Sequence, residues 1–193
     1  LGKVAFSNEV FKEAILDIKA GLSALNGQSR KLLVVDLDDT LWGGVVGEVG
    51  WEGITLGGHD ALGEAYIDFQ RALKRLKKRG VLLAIASKND ASVALEALSK
   101  HPEMVLRPND FVAMRIDWND KAQNIADLVT ELNLGLQSTV FIDENPFERG
   151  RVRESLSEVL VPDWPENPML YVKALEELRC FDTTNLTEED IKR

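Results

Sequence analysis

The sequence contains very little cysteine or histidine, with one Cys and two His among 193 residues. A single cysteine excludes an intramolecular disulfide framework and fits a reducing compartment, so we expect a cytoplasmic protein. His59 and His101 do not have the spacing of a metal-ligand pair. No apolar run reaches membrane-spanning length, and the first residues lack the basic-then-apolar plan of a signal peptide, so we expect no membrane association.

Positive charge is also scarce. The chain carries 23 Lys and Arg against 32 Asp and Glu, and the net charge of −9 argues against nucleic acid as a partner, since nucleic-acid binding needs a basic surface. Hydrophobic residues make up 45% and charged residues 28%, as in an ordinary soluble globular protein. The length predicts one domain that buries roughly two-thirds of its unfolded surface.

Three carboxylates follow one apolar run, Leu32–Val35. Residues two apart in an extended chain project to the same side, so Asp36 and Asp38 can face one point beyond the strand, whereas Asp39 falls out of that register. Two converging carboxylates repel each other unless a proton or a hard cation such as Mg²⁺ intervenes. One could attack phosphorus while the other moves the proton. The alternative is an acidic turn that caps the next element.

Other polar residues follow later apolar runs. Ser87 comes after Val81–Ala86, and Asp143 comes after Thr139–Ile142. Lys121 is expected in the first turn of a helix, where the helix dipole disfavours a cation. Open α/β sheets bind ligands at the carboxyl ends of their strands, so these residues are candidates for one site. Taken singly, each has an ordinary explanation as a polar turn or a solvated side chain.

In this order the residues resemble a known family. Asp36–Leu41 matches the DxDxT signature of the haloacid dehalogenase-like (HAD) phosphotransferases, and Ser87, Lys121 and Asp143 follow in that superfamily's order. From about residue 30 to the C-terminus the chain looks more narrowly like the FkbH-like domains of polyketide assembly lines, on three stretches: Leu41–Glu48, Phe141–Arg149 and Phe181–Thr187.

The resemblance implies a mechanism. Asp36 would be the nucleophile that forms an aspartyl-phosphate, and Asp38 the acid and base. Ser87 and Lys121 would hold the phosphoryl oxygens. Mg²⁺ would be bound by Asp36, the backbone carbonyl of Asp38, and Asp143.

Further residues are candidates for contact with the substrate. Glu144 stands where FkbH-like domains usually have a second aspartate, and we expect it to hold a water in the outer shell of the metal. Arg149 could bind a substrate carboxylate or phosphate, or pair with a neighbouring acid. The full set of expected substrate contacts is Trp42, Lys88, Asn89, Glu144 and Arg149.

For function, the resemblance implies dephosphorylation of a small phosphorylated substrate like 1,3-bisphosphoglycerate and transfer of its glyceryl unit to an acyl carrier protein. The basic helix end Arg71–Arg79 is either a dock for such an acidic partner or a solvated face. Cys180 lies far in sequence from Asp36, Ser87, Lys121 and Asp143 and is interpreted as a small apolar residue. One alternative is a stand-alone Mg²⁺ phosphatase of a sugar or acid phosphate. Another is a receiver-like signalling domain, although receivers carry the acceptor Asp after the third strand.

These patterns predict a Rossmann-like three-layer α/β/α domain with a mostly parallel five-stranded sheet. The intervals between motifs are too short for an inserted cap domain, so we expect a minimal cap: a flap over the glycine-rich residues 42–58, with a hairpin formed by Val45, Val46 and Val49. Such an open site suits a bulky or protein-tethered substrate. We expect residues 1–29 to form a helical segment packing on the core, and residues 30–193 an FkbH-type catalytic domain excised from a longer multidomain chain. The expected strands are Leu32–Val35, Val81–Ala86, Phe111–Ile116, Thr139–Ile142 and Glu158–Val161.

Overall fold

The computed structural model describes residues 7–26 and 29–181. Its central strands are β1 (Leu32–Val35), β2 (Leu82–Ser87), β3 (Ala113–Ile116) and β4 (Thr139–Ile142). They form a parallel sheet in the order β3-β2-β1-β4. Leu32 of β1 pairs with Leu82 of β2 on one side and with Thr139 of β4 on the other, while Ala84 of β2 pairs with Ala113 of β3. Because every strand runs the same way, all the carboxyl ends meet at one edge of the sheet.

The helices are α1 (Asn8–Leu25), α2 (Val46–Gly53), α3 (Ala61–Lys78), α4 (Ala91–Lys100), α5 (Lys121–Glu131), α6 (Pro146–Ser155) and α7 (Tyr171–Glu177). Polar side chains cap the helices that follow β2, β3 and β4. Side chains of Asp90, Asp120 and Asn145 accept hydrogen bonds from backbone N–H groups in the first turns of α4, α5 and α6. Such caps satisfy donors that a helix start leaves unpaired.

Both faces of the sheet are covered, as the apolar strands predict. Alternate residues of β1 belong to different buried clusters, Leu33 with Phe69 and Leu73 of α3 on one face, and Val34 with Ile125 of α5 on the other. Each such aliphatic side chain contributes about 1.5–3 kcal/mol relative to exposure. The expected three-layer α/β/α architecture is therefore confirmed.

The expected fifth strand is wrong, and the sheet has four strands within the described residues. Leu160 makes an isolated parallel bridge with Val140 of β4. Leu160 uses both of its backbone groups on β4, since its N–H donates to Thr139 and its carbonyl accepts from Phe141 N. On one side of Leu160 the carbonyl of Glu158 accepts from Arg30 Nη1, and on the other side Pro162, the next residue that would face β4, has no N–H to donate. The ladder therefore does not extend beyond this bridge.

The expected hairpin in the flap is also wrong. Residues from Val46 onward form the short helix α2, with a kink at Gly50, whose φ of 70° suits glycine. The flap closes on itself where Gly43 and Thr55 exchange two backbone hydrogen bonds of 2.9 and 2.8 Å. The cap over the carboxyl edge is therefore one short helical loop.

The expected N-terminal helix spans Asn8–Leu25. Its side chains of Val10, Ile15 and Ile18 are about half exposed or more, so the described part of α1 does not pack into either buried cluster. Ion pairs from Arg179 to Glu13 and Asp17 connect α1 with the residues after α7. Most of the Phe181–Thr187 motif lies outside the described residues. In the described ranges no helix is long and apolar enough to cross a membrane.

Candidate active site

Four residues from separate elements meet at the carboxyl edge of the sheet. Asp36 follows β1, Ser87 ends β2, Asp143 follows β4, and Lys121 opens α5. Lys121 Nζ lies 2.9 Å from Asp36 Oδ1 and 2.7 Å from Asp143 Oδ2. The four side chains are buried, with no more than 5% of any of these residues exposed. Of the residues expected at one site, Asp36, Lys121 and Asp143 are therefore brought within ion-pair distance, and their catalytic roles stay a prediction.

Charge in this cluster is concentrated and shielded from water. Burial by itself lowers the pKa of Lys121, but the adjacent carboxylates of Asp36 and Asp143 outweigh burial and raise that pKa above its usual value. Lys121 is therefore a permanent cation here. Asp36 Oδ1 is buried, and its partner among the described residues is the Lys121 ammonium at 2.9 Å, in an ion pair without aligned hydrogen-bond geometry.

Three carboxylates could hold a metal ion. Asp36, Asp143 and Glu144 each offer an oxygen, and these atoms lie within 4.8 Å of one another. Burial, and then the neighbouring carboxylates, raise the pKa of Asp143 to about 6 and that of Glu144 to about 8. A divalent cation would relieve this repulsion, and oxygen ligands suit Mg²⁺. This set of three clustered carboxylates therefore fits a hard cation. Glu144, expected in the outer shell, stands close enough to be a direct ligand.

Asp38 is held on both of its carboxylate oxygens. Its Oδ1 accepts hydrogen bonds from Trp42 Nε1 at 2.9 Å and from the backbone N of Val46 at 3.0 Å, while Asn89 Nδ2 donates to Oδ2 at 2.9 Å. Burial raises the pKa of Asp38, and these donors partly offset that rise. The carboxyl group is therefore fixed in one orientation by the first turn of α2 and the loop after β2.

Trp42 and Asn89, which were expected to contact the substrate, donate hydrogen bonds to Asp38 in this structure. Trp42 is fully buried, so its ring contacts the core and its indole N–H contacts Asp38. This placement contradicts a direct contact between Trp42 and a substrate. Asn89 is 4% exposed and, besides Asp38, it reaches Ser87 Oγ at 3.2 Å. Asn89 therefore joins the hydroxyl of Ser87 to the carboxylate of Asp38.

Arg149 and Lys88, the two basic residues that were expected to contact the substrate, already have partners within the protein. Arg149 Nη1 donates to the carbonyls of Asp143 and Glu144 at 2.8 and 2.6 Å, so this largely buried side chain fixes the loop that presents both acids. That arrangement contradicts the expectation that Arg149 binds a substrate anion. Lys88 Nζ forms an ion pair with Glu148 Oε1 at 2.6 Å. Because β1 lies between β2 and β4, this pair spans the carboxyl end of β1, where Asp36 lies.

Three residues that support the site were not assigned a role from the sequence. Thr40 Oγ1 donates to Glu144 Oε2 at 2.9 Å, and Tyr171 Oη donates to the carbonyl of Asp39 at 2.9 Å. Asp39 has a φ of 50°, and its Oδ1 accepts a bond from Gly44 N. Thr40 belongs to the DxDxT signature, so the sequence did contain a signal that could have identified it. Tyr171 lies 132 residues from Asp39, and no local pattern reveals that contact.

Comparison with known proteins agrees with this geometry. The chain is similar to the N-terminal part of the protein BF1531 from Bacteroides fragilis, a structure that contains a phosphatase domain complexed with Mg, at 43% identity and a TM-score of 0.83. The match covers 86% of this chain and 44% of that one, so this chain spans less than half the length of that relative. The sequence matches no family model, and no curated protein matches it.

More distant structures share the fold. The HAD domain of the effector protein Lem4 from Legionella pneumophila, an inactive mutant, matches at 12% identity and a TM-score of 0.55, over 85% of this chain and 97% of that one. A putative 3-deoxy-D-manno-octulosonate 8-phosphate phosphatase from Vibrio cholerae matches at 15% identity and a TM-score of 0.51, over 89% of this chain and 92% of that one. The chain therefore shares the fold of a HAD domain.

Proposed function

We propose that this chain is a Mg²⁺-dependent phosphatase that works through an aspartyl-phosphate on Asp36. The observation that carries the proposal is the buried meeting of Asp36, Lys121 and Asp143, within ion-pair distance, at the carboxyl edge of the sheet. The similarity at 43% identity to a structure with a Mg-complexed phosphatase domain supports it.

The proposed reaction has two displacements. An Asp36 carboxylate oxygen forms a bond to phosphorus while the ester bond from phosphorus to the organic group breaks, and protonated Asp38 gives its proton to the departing oxygen. Asp38 then takes a proton from water, which attacks phosphorus and breaks its bond to Asp36. Inorganic phosphate leaves and both acids return to their first states. The hydrogen bonds from Trp42, Val46 and Asn89 keep Asp38 oriented for both steps.

The surrounding residues neutralise and position the transferring group. Lys121 lies between Asp36 and Asp143 and supplies positive charge beside the nucleophile. Ser87 Oγ, held by Asn89, can donate to a phosphoryl oxygen. Asp36, Asp143 and Glu144 are the residues that would hold Mg²⁺, which supplies further charge neutralisation when bound. Most of the rate enhancement in phosphoryl transfer comes from such positioning and electrostatics.

The narrower candidate is FkbH-like action on 1,3-bisphosphoglycerate with transfer of a glyceryl unit to an acyl carrier protein. The motifs around Trp42 and Asp143 and the small cap support it. The expected basic dock supports it less, since Lys74 and Lys77 on α3 both pair with Asp110. A stand-alone phosphatase of a small organic phosphate needs no such dock, and we place it first.

Phosphate release with Mg²⁺ tests the proposal. We expect wild-type protein to hydrolyse small phosphoesters and Asp36→Asn to lose this activity, whereas Asp68→Asn, an exposed acid on α3, serves as the matched control. Comparing three-carbon acid phosphates with sugar phosphates, each with and without carrier protein, separates the two candidates. Turnover by Asp36→Asn at the wild-type rate would contradict the proposed nucleophile.

A further inference from the structure

Two aromatic side chains stand out by their exposure. Trp118 is 75% exposed and Phe147 is 86% exposed, more than any other aromatic residue in the described ranges 7–26 and 29–181. Aromatic rings usually dominate cores and interfaces, where their large apolar area is removed from water. Neither ring contributes to the two buried clusters. Their position must therefore be explained by something other than packing within this domain.

Both rings lie on the rim of the candidate active site. Trp118 follows β3 and precedes Lys121 by three residues, and Phe147 is in the first turn of α6, four residues after Asp143. The two segments are tied together, because Arg151 Nε, one turn beyond Phe147, binds Asp120 Oδ2 at 2.8 Å. The rings thus flank the edge at which Lys121 and Asp143 meet.

Three cationic side chains near this rim already have partners. Lys88 binds Glu148, Arg151 binds Asp120, and Arg149 is used by two backbone carbonyls. These cations are therefore not set up to receive a second anionic group of a substrate. The rim instead offers ring faces and neutralised ion pairs, which suits an uncharged, apolar surface.

We propose that Trp118 and Phe147 form a subsite for the organic part of the phosphoester, and that this part presents a ring or flat apolar face without a second strong negative charge. This inference rests on the proposed phosphatase function and narrows its substrate class. With the phosphoryl group held at Asp36 and Lys121, the ester's organic group points outward to the rim, where aromatic faces can stack on it.

Substrate selectivity tests the subsite. The probes are p-nitrophenyl phosphate, which has a ring, and acetyl phosphate, which has none. We expect Trp118→Ala and Phe147→Ala each to lower the ratio of kcat/KM for the ring ester to that for acetyl phosphate by roughly two- to tenfold, the range of one aromatic stacking contact. Val112→Ala is the matched control, because Val112 is an exposed apolar residue just before β3, at the opposite end of the strand from Trp118. An unchanged ratio in both rim variants would overturn the subsite.

A binding measurement separates this proposal from the catalytic one. Phenylphosphonate cannot be hydrolysed, and with Mg²⁺ present it should quench the fluorescence of Trp118, the most exposed tryptophan in the described ranges. Affinity by calorimetry should fall in Trp118→Ala and be largely restored in Trp118→Phe. If phenylphosphonate binds in this way but no phosphoester is turned over, the phosphatase proposal fails while the subsite stands. If turnover occurs but phenylphosphonate affinity is equal in wild type and both alanine variants, the subsite fails alone.

Discussion

Lys121 Nζ and Asp143 Oδ2 lie 2.7 Å apart, and the two side chains are 4% and 0% exposed. A buried ion pair of this kind gains little net stability, because removing both charges from water costs several kcal/mol. Breaking it is expensive, however, since the remaining charge loses its partner. The pair lies beside Asp36, where a phosphoryl group and a cation would bind, so we interpret it as a feature kept for binding anions and metal rather than for folding.

Removing the Lys121 ammonium should therefore destabilise the metal-free protein. We expect Lys121→Met to lower the free energy of unfolding by about 3–5 kcal/mol, because Asp36 and Asp143 are left without their counter-charge. Mg²⁺ should recover part of the loss, since a cation then binds between the same acids. Urea unfolding with and without Mg²⁺ measures both effects. Lys173→Met, which removes an exposed ion pair, is the control, and an equal effect in the two variants would contradict the expectation.

The affinity for Mg²⁺ should rise with pH. The pKa of Asp143 is raised to about 6 and that of Glu144 to about 8, mainly by burial, so both carry protons in the metal-free protein at low pH. A metal ion must displace those protons, and its affinity should therefore increase between pH 6 and pH 8. Calorimetry in two buffers of different ionisation enthalpy should detect proton release, and affinity independent of pH would contradict this assignment.

The raised pKa values of Asp143 and Glu144 also determine whether the stability of the metal-free protein rises or falls with pH. A carboxyl group with a folded pKa above its unfolded value stabilises the protein at low pH, and that contribution is lost as the pH rises through the folded pKa. The contributions of Asp143 and Glu144 should therefore decline from about pH 4 up to about pH 8. Glu144→Gln should flatten the upper part of this decline, measured by urea unfolding in chelator. The same slope in both proteins would show that Glu144 does not titrate there.

The substitution Trp42→Phe should distinguish the role of Trp42 in orienting Asp38 from its role in packing the core. The substitution keeps a buried aromatic ring but removes the N–H that donates to Asp38 Oδ1. We expect kcat to fall about tenfold, the scale of one hydrogen bond to a charged group, with little change in KM, because the ring lies in the core and away from the substrate. Trp51→Phe is the control, since Trp51 also packs against this core. A higher KM with an unchanged kcat would indicate substrate contact instead.

Tyr171→Phe should remove a long-range hydrogen bond that holds the loop of the DxDxT signature, the one to the carbonyl of Asp39. The phenol is buried among Phe69, Trp164 and Tyr66, and its hydroxyl donates to the carbonyl of Asp39, a residue in the left-handed region. Losing this bond should lower the free energy of unfolding by about 1 kcal/mol. Denaturant unfolding measures this, with Tyr66→Phe as the aromatic control. Stability equal to that of the wild type would show that the bond contributes nothing.

The sequence predicts the core of the fold and the cluster well, for a physical reason. Strands buried on both faces read as continuous apolar runs, so β1 and β4 are visible, and polar residues at their carboxyl ends must share one edge. Asp36, Lys121 and Asp143 are accordingly found together. This part of the prediction needs only local patterns and the parallel direction of the strands.

What the sequence does not predict depends on long-range contacts. The segment Glu158–Val161 has strand-like residues, yet the register that pairs Leu160 with β4 leaves the Glu158 carbonyl to Arg30 and places Pro162, which has no N–H, at the next pairing position. Trp42 was expected to face the substrate because it adjoins the signature, but the core encloses its ring. Arg149 carries a charge that suggests an anion partner, although its Nη1 donates instead to two carbonyls six and five residues before it.

The measurement that most directly tests the proposed chemistry is to trap the phosphorylated enzyme. Rapid acid quenching of the wild-type protein during turnover of a labelled phosphoester, followed by peptide mapping, should place the phosphoryl group on Asp36, with the label absent when Mg²⁺ is chelated. Asp36→Asn should show no label and no turnover. A phosphoryl group on another residue, or turnover without any phosphorylated enzyme, would contradict the account.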